Sequence, residues 1–420
     1  MKKEEKVELT PDRSFSVDLS FQNLVTIRDI KIIKGDRWIY SAGFNVDPSL
    51  TDTKRIDIEI PDIEFLSKAQ ARVAILSHQG SWKKHSACHL DFIATYLSNC
   101  LSRNVQYFPE NNSPAALERV QSMQDGEIII FGNTRFNQEE ERGSLQLAKK
   151  FSKLGDYVAI GGFSKAHRCH SSNTQILRFL PGYAASGLLQ EIKMLDDLIK
   201  VPPKTKSIAI IGGTKIEKIT KGLKFFKSIY DFIIPGGIVL NNILKAQGIS
   251  IGNSYLGDVP DMAFEHTKKI LSSEGQASIL LPKNLVVARK DNNNVYQDIQ
   301  VVNVNDGVPH EYMIADFFLS PEARKVFLQS EGCHVRTIIA GTPCLTKDGF
   351  TTASGEILQL ISDNNVESFM MGGNTLEDLS LDCPSSTGGG AALHYLVERT
   401  CPVLEALSYN QRNPDHLNEF

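Results

Sequence analysis

Several short stretches of this chain carry residue types that handle anions. In Ser385-Ser386-Thr387-Gly388-Gly389-Gly390-Ala391, three consecutive glycines lack Cβ atoms, so backbone N–H groups can close around an anion. An apolar helical pattern follows, from Ala392 to Arg399. With Ala391 opening that helix, the loop N–H groups stand at its positive end, where phosphate is favoured. A second glycine turn, Gly372-Gly373-Asn374-Thr375, precedes the loop. Elsewhere polar and basic residues stand just behind apolar runs: Asn45 after a short strand pattern, His78 in Ser77-His78-Gln79-Gly80, Arg135 in Gly132-Asn133-Thr134-Arg135-Phe136, and Arg168 in Lys165-Ala166-His167-Arg168. Arg55 opens a helical pattern and could join them. Any one of these reads equally well as a surface charge or a cap. Their recurrence at the same structural place points to one anion-binding cleft.

The elements that must hold these residues are apolar strands alternating with amphipathic helices. In the first half the strand patterns are Arg37–Val46, Arg72–Leu76, Val105–Phe108, Glu127–Phe131 and Tyr157–Ile160, with helical spacing over Arg55–Leu66, Asp91–Leu101 and Leu145–Leu154. This alternation predicts a parallel sheet with helices on both faces, and ligands in such sheets bind beyond the carboxyl ends of the strands. A long amphipathic helix over Gly187–Lys200 ends at Val201-Pro202-Pro203-Lys204, which marks a domain boundary. The pattern then restarts at Ser207–Ile211, followed by Gly212-Gly213-Thr214-Lys215. Further strand candidates are Asp231–Ile234, ending in Pro235-Gly236-Gly237, then Ser278–Leu281, Asn284–Ala288, Gln297–Val304 and Thr337–Ala340, the last ending in Gly341-Thr342-Pro343. The expected fold is α/β: two doubly wound parallel-sheet (Rossmann-like) lobes joined by a long helix. Neither G-x-x-x-x-G-K-[ST] nor G-x-G-x-x-G occurs, so neither a P-loop nor a standard dinucleotide site is expected.

Composition narrows the class. A chain of 420 residues is too long for one ordinary core. With 41% hydrophobic and 22% charged residues it reads as a soluble globular protein. A net charge of −4 argues against a general nucleic-acid or membrane-surface binder. The charged start Met1-Lys2-Lys3-Glu4-Glu5-Lys6 has no apolar core, so no signal peptide is expected, and no apolar run reaches membrane-spanning length. Seven scattered cysteines without a Cys-x-x-Cys pair fit a reducing cytoplasm and no zinc framework. A monomer is expected.

Read together, the strand ends resemble the phosphoglycerate kinase family over residues 23 to 408. The pieces that carry the resemblance are Gly43-Phe44-Asn45-Val46, Ser77-His78-Gln79-Gly80, Asn133-Thr134-Arg135-Phe136, Ala166-His167-Arg168-Cys169-His170-Ser171, Gly212-Gly213-Thr214-Lys215, Leu244-Lys245-Ala246-Gln247-Gly248 with Ile251-Gly252-Asn253-Ser254, Leu281-Pro282 with Val286-Val287-Ala288, and Ser386-Thr387-Gly388-Gly389-Gly390-Ala391, in family order. The resemblance implies a phosphotransferase moving a phosphoryl group between ATP/ADP and the carboxylate of 3-phosphoglycerate or a related small anionic acid, by hinge closure. It implies an extension (1–22), an acid-binding lobe (23–186), an inter-lobe helix (187–201), a nucleotide-binding lobe (202–400) and a segment (401–420) returning to the first lobe. Asn45, Arg55, His78, Arg135 and Arg168 would hold the acid. Arg55, Lys215 and Gly388, Gly389 and Gly390 would act on the transferred phosphoryl group. Gly212, Gly213, Gly236 and Gly237 would line the nucleoside pocket, with Pro343 near the base and Asn374 and Thr375 on the nucleotide side.

Departures from the family pattern fall in the site itself. Gly43, Ser81, Gly132 and the Gly161-Gly162 pair replace an aspartate, an arginine, an acid and an aspartate. The second lysine after Lys215 is displaced, with Lys218 three residues on instead of four. The magnesium-binding aspartate is Asn374, a poorer ligand for a hard cation, which places Mg2+ in doubt. Two alternatives follow: an ATP-dependent carboxylate-amine ligase working through an acyl phosphate, and a non-catalytic binding protein of the same fold.

Overall fold

A computed structural model describes residues 23–202, 204–328 and 334–415, without the side chains of Asn374 and Glu377. The expected extension over 1–22 and the final residues 416–420 lie outside the described residues.

The first half forms a six-stranded sheet of β1 (Arg37–Ser41), β2 (Arg72–Ser77), β3 (Val105–Phe108), β4 (Ile128–Asn133), β5 (Tyr157–Ile160) and β6 (Gly182–Ala184). Its order is β3-β4-β2-β1-β5-β6, and every pairing is parallel. The strands are buried runs such as Val73–Leu76 and Ile128–Phe131, as expected for a sheet covered on both faces. The sequence leaves β1 toward β2 on one side and returns to β5 on the other. The carboxyl ends of β1, β2, β4 and β5 therefore open onto one crevice.

The second half repeats the plan with β7 (Thr205–Ile211), β8 (Phe232–Pro235), β9 (Ser278–Ile279), β10 (Asn284–Lys290), β11 (Tyr296–Asn303), β12 (Met313–Phe317), β13 (His334–Ala340), β14 (Glu367–Met371) and β15 (Ser385–Ser386). Six of these make a parallel sheet in the order β15-β14-β13-β7-β8-β9. The other three depart from expectation. β10, β11 and β12 form a separate antiparallel sheet in the order β11-β10-β12. Its outer strand alternates poorly and leaves Ile299 and Val301 exposed.

Helix boundaries depart from the sequence patterns in instructive places. The pattern over Arg55–Leu66 is two helices, Lys54–Asp57 and Ile60–Lys68. Pro61 sits in the first turn of the second, where its missing N–H costs nothing, and Ile58 and Glu59 lie between them. The helix Pro114–Gln121 was not expected because only Ala116 and Val120 of it are buried, too few for a visible period. The stretch after Lys215 is a π-helical turn, Lys218–Leu223, running into an α-helix over Lys224–Ile229.

The two sheets are joined by the helix Ser186–Ile199, whose inner face carries Leu188, Glu191, Ile192, Leu195 and Leu198. The C-terminal helix Pro402–Arg412 packs on the first sheet: Asn410 Nδ2 donates to the carbonyls of Leu177 (2.6 Å) and Leu180 (2.9 Å), and Gly182 N donates to Asn410 Oδ1 (2.8 Å). These two helices share one continuous apolar cluster with the facing sides of both sheets. Among the described residues no helix is long and apolar enough to cross a membrane.

Candidate active site

The carboxyl ends of the two parallel sheets face each other across a cleft of about 480 Å³. The first lobe lines it with Asn45, Arg55, His78, Arg135, Lys165, His167 and Arg168, and the second with Gly213, Lys215, Lys218, Gly237, Pro343, Thr375 and Gly388–Gly390. All five residues expected to hold an acid thus share one cavity with the triple-glycine loop. Gly212 and Gly236 do not line it. They stand behind the wall, where a Cβ on either would overlap the Thr342–Pro343 backbone. Their role is to let the ends of β7 and β8 approach that loop. Asn374 lies in the short helix Gly373–Asp378.

Each first-lobe group is fixed by neighbours. Asn45 Oδ1 accepts from Gly80 N (3.0 Å), tying the end of β1 to the loop after β2. Asn133 Nδ2 donates to the carbonyls of Gln79 and Cys88 (both 2.8 Å), while its Oδ1 accepts from Arg135 N (2.9 Å). Arg135 is buried, donates to Gly80 O and approaches Glu141 at 3.4 Å. Burial, opposed by Glu141, lowers its pKa. His78 is buried and held neutral, by desolvation first and then by Arg135 and Lys165. His167 is likewise depressed to about 3, by burial and then Arg168, and its Nε2 accepts from Arg168 Nε at 3.3 Å.

Across the cleft the binding groups are mostly backbone. The helix after the loop opens at Gly389, two residues earlier than expected, with Gly388 as its N-cap. Gly388 N donates to Ser386 Oγ (3.2 Å) and the first helical bond is Ala392 N to Gly388 O, so the N–H groups of Gly389, Gly390 and Ala391 have no intrahelical partner. The helix Gly237–Ala246 offers less, since Gly237 N and Ile238 N already donate to Pro343 O and Gly213 O. The triple-glycine helix is therefore the anion site of this wall. Glu191, on the joining helix, holds the loop from beneath. It accepts from the Ser386 hydroxyl, from Thr387 Oγ1 (2.6 Å) and from Thr387 N (3.3 Å). Burial pushes its carboxyl pKa up against those hydrogen bonds.

Arg55 joins the two walls. Its guanidinium donates to Asn45 O in the first lobe and, through Nη2, to Thr387 O (3.2 Å) in the second. The lobes also touch where Gly388 meets Phe163, since a Cβ there would lie 2.8 Å from the ring.

One residue that the sequence left displaced, and two that it did not single out, also reach the site. Lys218 is brought into the cleft by the π-helical turn, its Cε 3.2 Å from where a Cβ on Gly341 would stand. Burial and then Lys215 lower its pKa to about 8. Such turns recur at functional sites. Glu59 supplies acid where Gly43 and Gly161 lack it: its Oε1 accepts from Gly43 N (2.8 Å), and a Cβ on Gly161 would overlap its other oxygen. The charge counted as missing thus arrives from another element. Lys165 is the third, buried on the cleft floor with Nζ 2.8 Å from Ser41 Oγ.

Two α/β lobes closing a cation patch onto a phosphate cradle define a two-lobe phosphotransferase. A family model described as phosphoglycerate kinase matches residues 27–399, and the chain belongs to the phosphoglycerate kinase family. It is 30% identical over 396 residues to the phosphoglycerate kinase of Pelotomaculum thermopropionicum, covering 91% of this chain and 98% of that one. It is 29% identical over 406 residues to that of Thermosipho africanus, covering 92% and 98%. Among solved structures, phosphoglycerate kinase from Pyrococcus horikoshii OT3 superposes with a TM-score of 0.77 at 22% identity (93% of this chain, 100% of that one). The Coxiella burnetii enzyme gives 0.67 at 24% (93% and 99%). The chain is a phosphoglycerate kinase-like, ATP-dependent phosphotransferase.

Proposed function

We propose that this enzyme moves a phosphoryl group between ATP/ADP and the carboxylate of 3-phosphoglycerate or a related small anionic acid. The observation that carries the reading is Arg55, which reaches from the acid wall to the phosphate loop. Asn45, His78, Arg135 and Arg168 hold the acid, arginine forks gripping carboxylate or phosphate oxygens in two-point contact. In the forward sense a carboxylate oxygen bonds to the terminal phosphorus as the bond to the bridging oxygen breaks, and ADP leaves with that electron pair. Arg55, Lys215, Lys218 and the N–H groups of Gly389 and Gly390, with Gly388 as the helix N-cap, neutralise the charge spread over the transferred oxygens. Gly213, Gly237, Pro343 and Thr375 face the nucleotide, and closure of the lobes keeps water from the acyl phosphate. The acid lobe spans 23–186 and the nucleotide lobe 202–400. A monomeric cytoplasmic enzyme without nucleic-acid or membrane partners completes the reading, in keeping with the net charge of −4.

Among the described side chains no protein-held Mg2+ site is built. Asp316 is spent on the N–H groups of Phe317, Thr352 and Ala353. Asp378 accepts from Thr342 Oγ1 (2.8 Å) and faces Lys347 Nζ at 3.5 Å. Among the described residues no three acids, histidines or cysteines gather around a point. No step is assigned to a metal held by the protein.

A coupled assay with ATP and 3-phosphoglycerate tests the reading. Turnover is expected. Absence of turnover together with absence of ATP binding by calorimetry removes it. Family membership does not favour the ligase or the non-catalytic alternative.

A further inference from the structure

Beneath the acid wall lies a layer of buried charge that the proposed chemistry does not use. Lys165 is 2% exposed, and its ammonium donates to Ser41 Oγ (2.8 Å) at the end of β1. Ser41 Oγ donates in turn to Ser172 O. Ser172 N and its hydroxyl both donate to the buried carboxylate of Glu140. On the other side stands Glu59, 2% exposed, one oxygen on Gly43 N (2.8 Å) and the carboxylate beside the buried Tyr40 hydroxyl. Lys165 is thus a buried cation between two buried acids. The three link the end of β1 (Gly43 to Asn45), the loop after β4 (Arg135 to Glu141) and the loop after β5 (Ser164 to Arg168), which together carry Asn45, Arg135 and Arg168.

The glycines complete the arrangement. A Cβ on Gly43 would lie 2.6 Å from Gly162 Cα, and one on Gly162 would lie 2.9 Å from Lys165 Cε. With the overlap of Gly161 and Glu59, all three glycines are emptied to admit Glu59 and Lys165. Residues 43, 59, 161, 162 and 165 form one packed unit. An isolated buried charge is costly, so Lys165 and its two acids, Glu59 and Glu140, stabilise one another.

We propose that Lys165, balanced by Glu59, is a positioning residue that sets this enzyme's affinity for its anionic acid by fixing the three loops that bear the acid-binding side chains. This deepens, and rests on, the functional reading above. Lys165 sits under the acid wall, whereas Lys215, Lys218 and the glycine loop stand opposite. Its loss therefore falls on one substrate.

The test is steady-state kinetics of the full chain with ATP and 3-phosphoglycerate, for wild type, Lys165→Met, Glu59→Gln and the double variant, each with thermal unfolding. Lys165→Met is expected to raise the KM for the acid at least about tenfold, with the KM for ATP within about twofold. The double variant removes Lys165 and Glu59 together and leaves Glu140 with its two bonds from Ser172, so it is expected to regain part of that loss. Should Lys165→Met not fold, Glu59→Gln carries the test, with a smaller rise in the same KM alone. An acid KM unmoved in both single variants, or equal losses for both substrates, overturns the inference while leaving the functional reading intact. A wild-type chain that neither turns over nor binds 3-phosphoglycerate removes that reading and this inference with it.

Discussion

In the first lobe the groups facing the cleft are side chains locked by other side chains and loops: Arg135 on Gly80 O, Asn45 on Gly80 N, and His78 kept neutral in a buried setting. In the second lobe the corresponding work falls to backbone N–H groups at Gly389 and Gly390, to Lys215 in the loop after β7 and to Lys218 on the π-helical turn. The difference follows from what each wall must recognise. A small acid differs from its competitors in shape, so the wall that selects it needs rigid donors at set positions. A polyphosphate offers repeated equivalent oxygens, which a helix end and point charges neutralise without fixed geometry. It also explains where substitution is absorbed. The first lobe meets Gly43 and Gly161 with a compensating buried acid, Glu59, whereas the second meets a shifted lysine with one π-helical turn.

Arg55 belongs to neither wall alone, so its removal breaks the comparison most severely. Arg55→Ala is expected to lower kcat about 10³-fold, with smaller changes in either KM, read by steady-state kinetics. A loss confined to the acid KM would place Arg55 in the first lobe only. Lys218→Met sharpens the second wall and is expected to cost about 10²-fold in kcat/KM for ATP.

The Lys218 pKa, lowered to about 8, adds a pH signature. Its charge is present below pH 8 and lost above, so affinity for ATP should fall by up to about tenfold per pH unit beyond 8. Lys218→Arg, charged throughout, should flatten that slope. Lys165 is also lowered to about 8, by burial against the pull of Glu59 and Glu140, but its titration is expected in the acid KM. Gly388→Ala comes next. Its Cβ would lie 2.8 Å from the Phe163 ring, where the lobes meet, and about a tenfold fall in kcat is expected with ATP binding by calorimetry retained. An unchanged kcat would mean that turnover does not require this contact.

The strands that aim the site were legible because each is a buried apolar run closed by a polar or glycine turn. The placement of Asn45, His78, Arg135 and Arg168 in one cleft follows from that alone. What stayed hidden is what period and composition do not encode. Lys218 looked misplaced because a π-helical turn has no pattern of its own. Glu59 falls inside the helical pattern over Arg55–Leu66, and nothing in that pattern marks the break before Pro61 that frees it to turn inward. Gly161 and Gly162 read as lost acids because the side chain that fills their space is about a hundred residues earlier, and only the parallel pairing of β1 with β5 brings the two together. The patterns at Asn284–Ala288 and Gln297–Val304 mark β10 and β11 as strands but not their antiparallel pairing, and β12 (Met313–Phe317) carries no strand pattern that the sequence made visible.

The smallest effect is expected at Asn374, and it bears on which partner holds the metal. With Asp316 and Asp378 both committed to protein groups, a divalent ion would be held chiefly by the nucleotide's own phosphates, as Mg2+ commonly is. Asn374→Asp adds one negative charge to the short helix Gly373–Asp378 at almost unchanged volume. The concentration of Mg2+ giving half-maximal velocity should then fall about three- to fivefold, with the acid KM unmoved. That result would show the second wall still shaped for a metal and merely short of one charge. A half-saturating concentration that does not move would show that the wall relies on Lys215, Lys218 and the helix end for its neutralising charge. The second lobe would then differ from the first in one more respect, having replaced a bound cation with its own.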